Sequence, residues 1–136
     1  MKKEDCIFCK IANGEIPSKT LYEDADFRVI LDLAPAAKGH ALILPKDHAA
    51  NLYELSEESA SKVLVVAKKI AEQMKNKLNC EGLNLMQNNG EVAGQTVHHF
   101  HMHVIPRYSD DGQKIEFNSK ECTPEELESV RKQIVE

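Results

Sequence analysis

A chain of 136 residues, 42% apolar and 29% charged, has the size and balance of one folded domain. At that length about two-thirds of the unfolded surface can be buried without a disulfide framework. A formal net charge of -5 argues against a nucleic-acid backbone as partner, although a local pocket can still hold a small anion. No run approaches the ~18 apolar residues of a membrane span, and the start, MKKEDC, is too charged for a signal peptide. The cytoplasm is the expected compartment.

The first motif is Cys6-Ile7-Phe8-Cys9. Such a pair reads as half a zinc site, as a redox pair, or as two buried thiols. The redox form normally follows a strand, and five residues leave no room for one. Cys80 and Cys122 stand alone and read as ordinary thiols. Ile7, Phe8, Ile11 and Ala12 give a short helix one apolar face, stopped at Asn13-Gly14. Ile16-Pro17-Ser18 is a loop. Leu21–Glu23 reads as a short strand, Phe27–Leu31 as a second with Asp32 at its end, and His40–Pro45 as a third after the Pro35–Gly39 loop. The last two fit an antiparallel pair.

Ser56 is placed to cap a helix whose first turn holds Glu57 and Glu58. Ala60, Val63, Leu64, Ala67, Ile70, Ala71, Met74 and Leu78 recur at helical spacing, which predicts one long amphipathic helix of about six turns. Lys68, Lys69, Glu72, Lys75 and Lys77 form its solvated face. Asn79–Gly82 ends it, and Leu83–Gln87 is a fourth strand. Asn88–Thr96 is rich in small, turn-prone residues that can leave backbone N–H groups free for a ligand. A fifth strand is expected over His99–Pro106, and a short one over Ile115–Phe117. Thr123-Pro124-Glu125-Glu126 opens a C-terminal helix with a capping box. Leu127, Val130, Ile134 and Val135 give that helix an apolar face, for its own fold or a partner chain. The whole reads as an α+β fold in one domain: an antiparallel sheet of about five strands, a short N-terminal helix, one long helix and a C-terminal helix.

Four of the six histidines fall within His98–His103. His99, His101 and His103 alternate with Phe100, Met102 and Val104, so an extended backbone puts three imidazoles on one face. A half-exposed strand commonly carries ordinary hydrogen-bonded histidines, but that reading does not account for such a cluster. Two chemistries remain. The row could bind a catalytic zinc, or one imidazole could act as a nucleophile while its neighbours hold charge and move protons. The adjoining loop favours the second, because attack on phosphorus needs donors around the phosphoryl oxygens. Asn88, the amides around Gly94, Gln95 and Thr96, the Thr96 hydroxyl and His103 could supply them. His101, in the centre, is then the nucleophile.

Gly94–Ile105 resembles the signature of the histidine-triad superfamily, three histidines alternating with apolar residues. Ile7-Phe8-Cys9-Lys10-Ile11, Ile16-Pro17, Leu31-Asp32-Leu33, Gly39-His40 and Pro45-Lys46-Asp47-His48 also stand in that family's order. The resemblance covers roughly residues 5–108 and points to its small bacterial nucleotide-binding branch; 109–136 is a C-terminal extension. It implies a hydrolase or transferase that cleaves purine nucleoside phosphoramidates or dinucleoside polyphosphates at the α-phosphate. His101 would form a nucleotidyl-histidine. The His99 carbonyl would hold His101 Nδ1–H, and His103, Asn88, Gly94 and Thr96 would bind the phosphate. Asp32 would accept the ribose hydroxyls. Ile7, Phe8, Ile11, Ile30, Leu33 and Leu42 would form the base slot, although each alone is more often simply core. His40 would support the triad or simply be a satisfied polar residue. His98 replaces an aromatic of many relatives and is expected to point with Phe100 and Met102, away from the triad.

The resemblance also implies a structural zinc on Cys6, Cys9, His48 and His99, no organic cofactor, and a homodimer. The ligand would be a purine mononucleotide or its conjugate, with neither nucleic acid nor membrane as partner. Two other readings remain: a nucleotide-binding regulatory protein with little catalysis, and a zinc hydrolase centred on His99, His101 and His103.

Overall fold

The apolar alternations of Phe27–Leu31 and Ala41–Pro45 become the middle of a five-stranded antiparallel sheet. The computed structural model describes residues 1–136. Strands β1 (Thr20–Glu23), β2 (Phe27–Leu31), β3 (Ala41–Pro45), β4 (Gly82–Met86) and β5 (Met102–Arg107) lie in the order β1-β2-β3-β5-β4. Helices α1 (Ile7–Ala12), α2 (Glu57–Leu78) and α3 (Pro124–Val135) complete the expected α+β fold. No helix is long and apolar enough to cross a membrane.

Period two divides the sheet into faces. Phe27, Val29, Ala41, Ile43 and Val104 pack against Val63, Val66, Ala67, Ile70 and Met74 of α2, with Phe100 between. Burying each of the larger side chains stabilises the fold by about 1.5–3 kcal/mol. On the opposite face Ile30, Leu42 and Leu44 meet Ala12, Phe8 and Ile11 of α1. Residues directly paired across strands share a face, and Ile30 pairs with Leu42, which pairs with His103. His103 therefore projects on the α1 side. A six-residue helix cannot cover that face as the 22 residues of α2 cover the other, so room remains there for a ligand.

Caps behave as the sequence predicts. The Ser56 hydroxyl accepts from Ser59 N–H at 3.1 Å, and Asn79 ends α2 in the left-handed region at φ 55°, which asparagine tolerates. The buried stripe of α2 runs through Val66, while Leu64 lies exposed on its flank. Gly39 has φ +92°, and a Cβ there would stand 2.5 Å from Leu78 Cδ1. Glycine is what lets the loop before β3 pass the end of α2.

Two of the expected strands differ. The fifth strand begins at Met102 instead of His99, because Phe100 N–H donates to Ala49 O at 2.7 Å. That bond diverts the backbone from the sheet ladder. Ile115–Phe117 forms no strand; it runs out into solvent with both side chains exposed. Beyond it α3 has the expected Thr123 cap, accepting from Glu126 N–H at 3.2 Å, but buries none of its residues.

Candidate functional site

The histidines that alternate in sequence are held by three different partners, two of them backbone carbonyls and the third the His40 side chain. His101 is buried, and its Nδ1–H donates to the His99 carbonyl at 2.7 Å. That bond fixes the tautomer with a lone pair on Nε2. Phe8 stands edge-on against the ring, with centroids 5.1 Å apart. His99 is fully buried and turned the other way: its Nε2–H donates to Pro45 O at 2.8 Å, and its Nδ1 lies 3.4 Å from both Cys6 Sγ and Cys9 Sγ. Burial pushes the His99 imidazole down to about 4, with the neighbouring His48 and His101 adding to the effect and the Pro45 bond opposing it.

His103 sits on β5 beside His101, with ring centroids 5.1 Å apart. His40 Nδ1 accepts from Ala36 N–H at 3.0 Å, so the His40 proton is on Nε2, 2.9 Å from His103 Nδ1. His103 Nδ1 thus accepts, and its own proton stays on Nε2, available as a donor. Asp32 Oδ2 is 3.5 Å from His40 Nε2. Burial lowers His40, opposed by Asp32. His103 is lowered to about 4, first by burial and then by His101 and His40.

Cys6, Cys9, His48 and His99 present four ligand atoms within 4.8 Å of one another. Cys9 Sγ is 3.3 Å from His48 Nδ1. A tetrahedral zinc with ordinary bond lengths spaces sulfur and nitrogen ligands roughly 3.6 Å apart, close to the 3.3 and 3.4 Å found here. Lys3 N–H donates to Cys9 Sγ and Cys9 N–H to Cys6 Sγ, the kind of donors that support a thiolate. Burial pushes the Cys9 thiol up, so its ionised form needs a cation beside it. Two sulfurs and two imidazoles closed on one another suit a structural metal with no open position. Asp32, His40 and His103 also converge, but both His40 nitrogens are already engaged. His101 belongs to neither group.

The loop before the triad is built differently from expectation. Gly94 N–H donates to Glu91 O and Gln95 N–H to Gly90 O, closing a 3-10 turn over Glu91–Ala93. Those two amides are not free for a ligand. The Gln95 side chain is buried as a brace, donating to Ala50 O at 2.6 Å and Val97 O at 3.0 Å while accepting from Gly90 N–H. Gly94 has φ +96°, and a Cβ there would stand 3.5 Å from Asn88 Nδ2. Thr96 is exposed at the end of the turn.

Of the six apolar residues assigned to the base, Phe8, Ile11, Ile30 and Leu42 form one cluster. Ile7 and Leu33 lie outside it with exposed side chains, Leu33 at 97%. Asp32 caps Ala34 N–H with Oδ1 at 2.9 Å beside this cluster. His98 does not follow Phe100 into the core. It is exposed, 3.9 Å from Glu91, because the backbone at 97–99 bends instead of alternating. A groove of about 530 Å³ between β1, β2 and α2 is lined by no histidine and brings Lys38 and Lys77 to an apolar floor.

Sequence reasoning missed the backbone groups that do the orienting: the Pro45 carbonyl, the Ala36 amide and the Ala49 carbonyl. No residue type advertises them. The Gln95 brace carried a faint sign, a long amide among small loop residues.

The HIT domain family profile matches residues 13–110. The adenosine 5'-monophosphoramidase of Schizosaccharomyces pombe is 42% identical over 130 residues, covering 95% of each chain. Among solved structures, a HIT family protein from Bacillus anthracis superposes with a TM-score of 0.90 at 42% identity, over 96% of this chain and 95% of that one. A zinc-bound histidine triad family protein from Mycobacterium smegmatis gives 0.75 at 37% identity, over 93% and 88%.

Proposed function

The chain belongs to the HIT-domain family, and from that premise we propose that it is a hydrolase of nucleotide conjugates that works through His101. The enzyme class is supported by the adenosine 5'-monophosphoramidase relative. The observation that carries the mechanism is the 2.7 Å bond from His101 Nδ1–H to the His99 carbonyl. It aims an unprotonated Nε2 outwards, and the carbonyl stabilises the positive ring that forms when Nε2 bonds to phosphorus.

The proposed substrate is a purine nucleoside phosphoramidate or a dinucleoside polyphosphate. Phe8, Ile11, Ile30 and Leu42 wall the base, and Asp32 receives the ribose hydroxyls. Asn88, Thr96 and His103 Nε2–H hold the α-phosphate oxygens, and Gly94, without a side chain, leaves room for them beside Asn88. His101 Nε2 attacks the α-phosphorus, and the bond to the amine or distal phosphate breaks. Water then displaces His101 and releases the mononucleotide. Gln95 shapes the loop.

Zinc on Cys6, Cys9, His48 and His99 would tie α1 to the backbone carrying His101. The fit of that donor set and the zinc-bound relative both favour it. The alternative of a zinc hydrolase on the histidine row finds no support in geometry that turns His99 away from His101. A homodimer is proposed from the uncovered apolar stripe of α3. The cytoplasm suits a chain whose four cysteines are joined by no disulfide.

Steady-state hydrolysis of adenosine phosphoramidate by the zinc-loaded protein tests the proposal. Turnover releasing AMP is expected; tight AMP binding without turnover would favour the regulatory reading.

A further inference from the structure

The loop from Asp32 to His40 carries two side chains of the site and contains no helix or strand. Internal bonds close it. Asp32 N–H donates to His40 O at 2.9 Å, and His40 N–H to Ala37 O at 3.1 Å. The Ala36 amide is spent on His40 Nδ1. Its outward carbonyls are held from elsewhere: Tyr108 OH donates to Lys38 O at 2.9 Å, and Gln113 Nε2–H to Ala36 O at 3.0 Å.

Both donors come from the segment just after β5, which is itself clamped. Arg107 reaches Asp111 at 2.8 Å, Asn84 at 2.9 Å and the Gln113 carbonyl at 2.7 Å. Asp111 also accepts from the backbone N–H of Tyr108 and Gln113. The Arg107 guanidinium and these amides hold the Asp111 carboxyl far below the usual range. Gln113 lies beyond the 13–110 span matched by the HIT domain.

We propose that Tyr108 and Gln113 are positioning residues that set the tautomers of His40 and His103 by fixing the Ala36–Lys38 backbone. The chain of bonds is continuous: Gln113 to the Ala36 carbonyl, the Ala36 amide to His40 Nδ1, and His40 Nε2–H to His103 Nδ1. When Ala36 is free to drift, its amide no longer reserves His40 Nδ1, and that atom can carry the proton. His40 Nε2 then faces His103 with a lone pair, and the His103 proton moves to Nδ1 to meet it. The Nε2–H directed at the ligand is lost. Only the phosphate role of His103 rests on the function proposed above; the two tautomers follow from the Ala36, His40 and His103 geometry.

The variants Tyr108→Phe and Gln113→Glu each keep the side-chain shape and remove the donor. Ring 15N shifts of histidine-labelled protein read the tautomers directly. In the parent, Nδ1 of His40 and His103 should be pyridine-type and Nε2 pyrrole-type. The double variant should show mixed tautomers at both residues and lose about tenfold in kcat/KM, the scale of one or two lost hydrogen bonds. Tyr108→Phe alone removes a single oxygen and should shift the same signals in the same direction. Unchanged tautomers in the double variant overturn the proposal, whatever happens to activity. Mixed tautomers in a protein whose parent shows no turnover would support it and instead overturn the hydrolase reading.

Discussion

Replacing His101 with alanine should separate chemistry from folding. The change leaves the His99 carbonyl without its donor, which costs about 1–3 kcal/mol for a buried acceptor. It also removes the edge-on contact with Phe8, worth about 0.5–1.5 kcal/mol. A loss of about 2–4 kcal/mol should lower the melting midpoint by roughly 10 °C in a domain of this size. Domains start with about 5–15 kcal/mol, so even the weakest case leaves most molecules folded at 25 °C. Unfolding can then explain at most a factor of about two. Deleting a covalent nucleophile costs on the order of 10⁴ or more in rate, or at least about 5.5 kcal/mol of barrier. Adenosine phosphoramidate hydrolysis measures the rate, titration calorimetry the AMP affinity, and a melting curve the fold. AMP binding should stay within about threefold, since the lone pair attacks only in the transition state. A variant that retained more than about 1% of the parental kcat, a barrier change under about 2.7 kcal/mol, would refute His101 as the nucleophile.

Zinc should respond to different residues. Cys6→Ala is expected to release bound metal by atomic absorption, whereas His101→Ala should keep one equivalent; metal lost with His101 and kept without Cys6 would place it in the triad. Acidification should destabilise the fold through His40 and His103, both held below their ordinary value. The unfolded imidazoles take up protons near pH 6.5, while His103 in the fold waits until about 4. Their contribution is therefore complete above about pH 6.5 and is lost as pH falls through that window, by less than ~1.4 kcal/mol per pH unit for each group, given the partial exposure of His103. Urea midpoints that stayed level from pH 7 to 5 would contradict this. Finally, Leu127 and Ile134 are 58% and 77% exposed, and the hydrogen bonds between α3 and the chain before it reach back no further than its cap at Cys122 and Thr123. Leu127→Asp with Ile134→Asp should weaken self-association at least about tenfold in sedimentation equilibrium; an unchanged dimer would place the interface elsewhere.

Sequence was a good guide where short-range rules act. Alternation located β2 and β3, helical spacing and the Ser56 cap located α2, and Thr123-Pro124 located the start of α3. It misplaced features that depend on what lies across the molecule. The alternation predicts a strand from His99 with His98 pointing as Phe100 does, yet the Ala49 carbonyl takes the Phe100 amide and bends that stretch. The glycine-rich loop was expected to offer free amides, yet Gly94 and Gln95 spend theirs on Glu91 and Gly90. Ile115 and Phe117 looked strand-like by composition, but no sheet edge stands beside them.

By itself, the sequence determined the supply of chemistry: alternating imidazoles, a pair of thiols and a small-residue loop, each fixed by residue type and spacing. Tertiary structure alone decided how that supply is divided. Each imidazole has two nitrogens, and which one carries the proton depends on the group the fold sets beside it. Pro45 turns His99 toward the cysteines, the His99 carbonyl frees Nε2 of His101, and Ala36 acts through His40 on His103. Backbone amides and carbonyls are the same in every residue, so only the fold can say which one a histidine will meet.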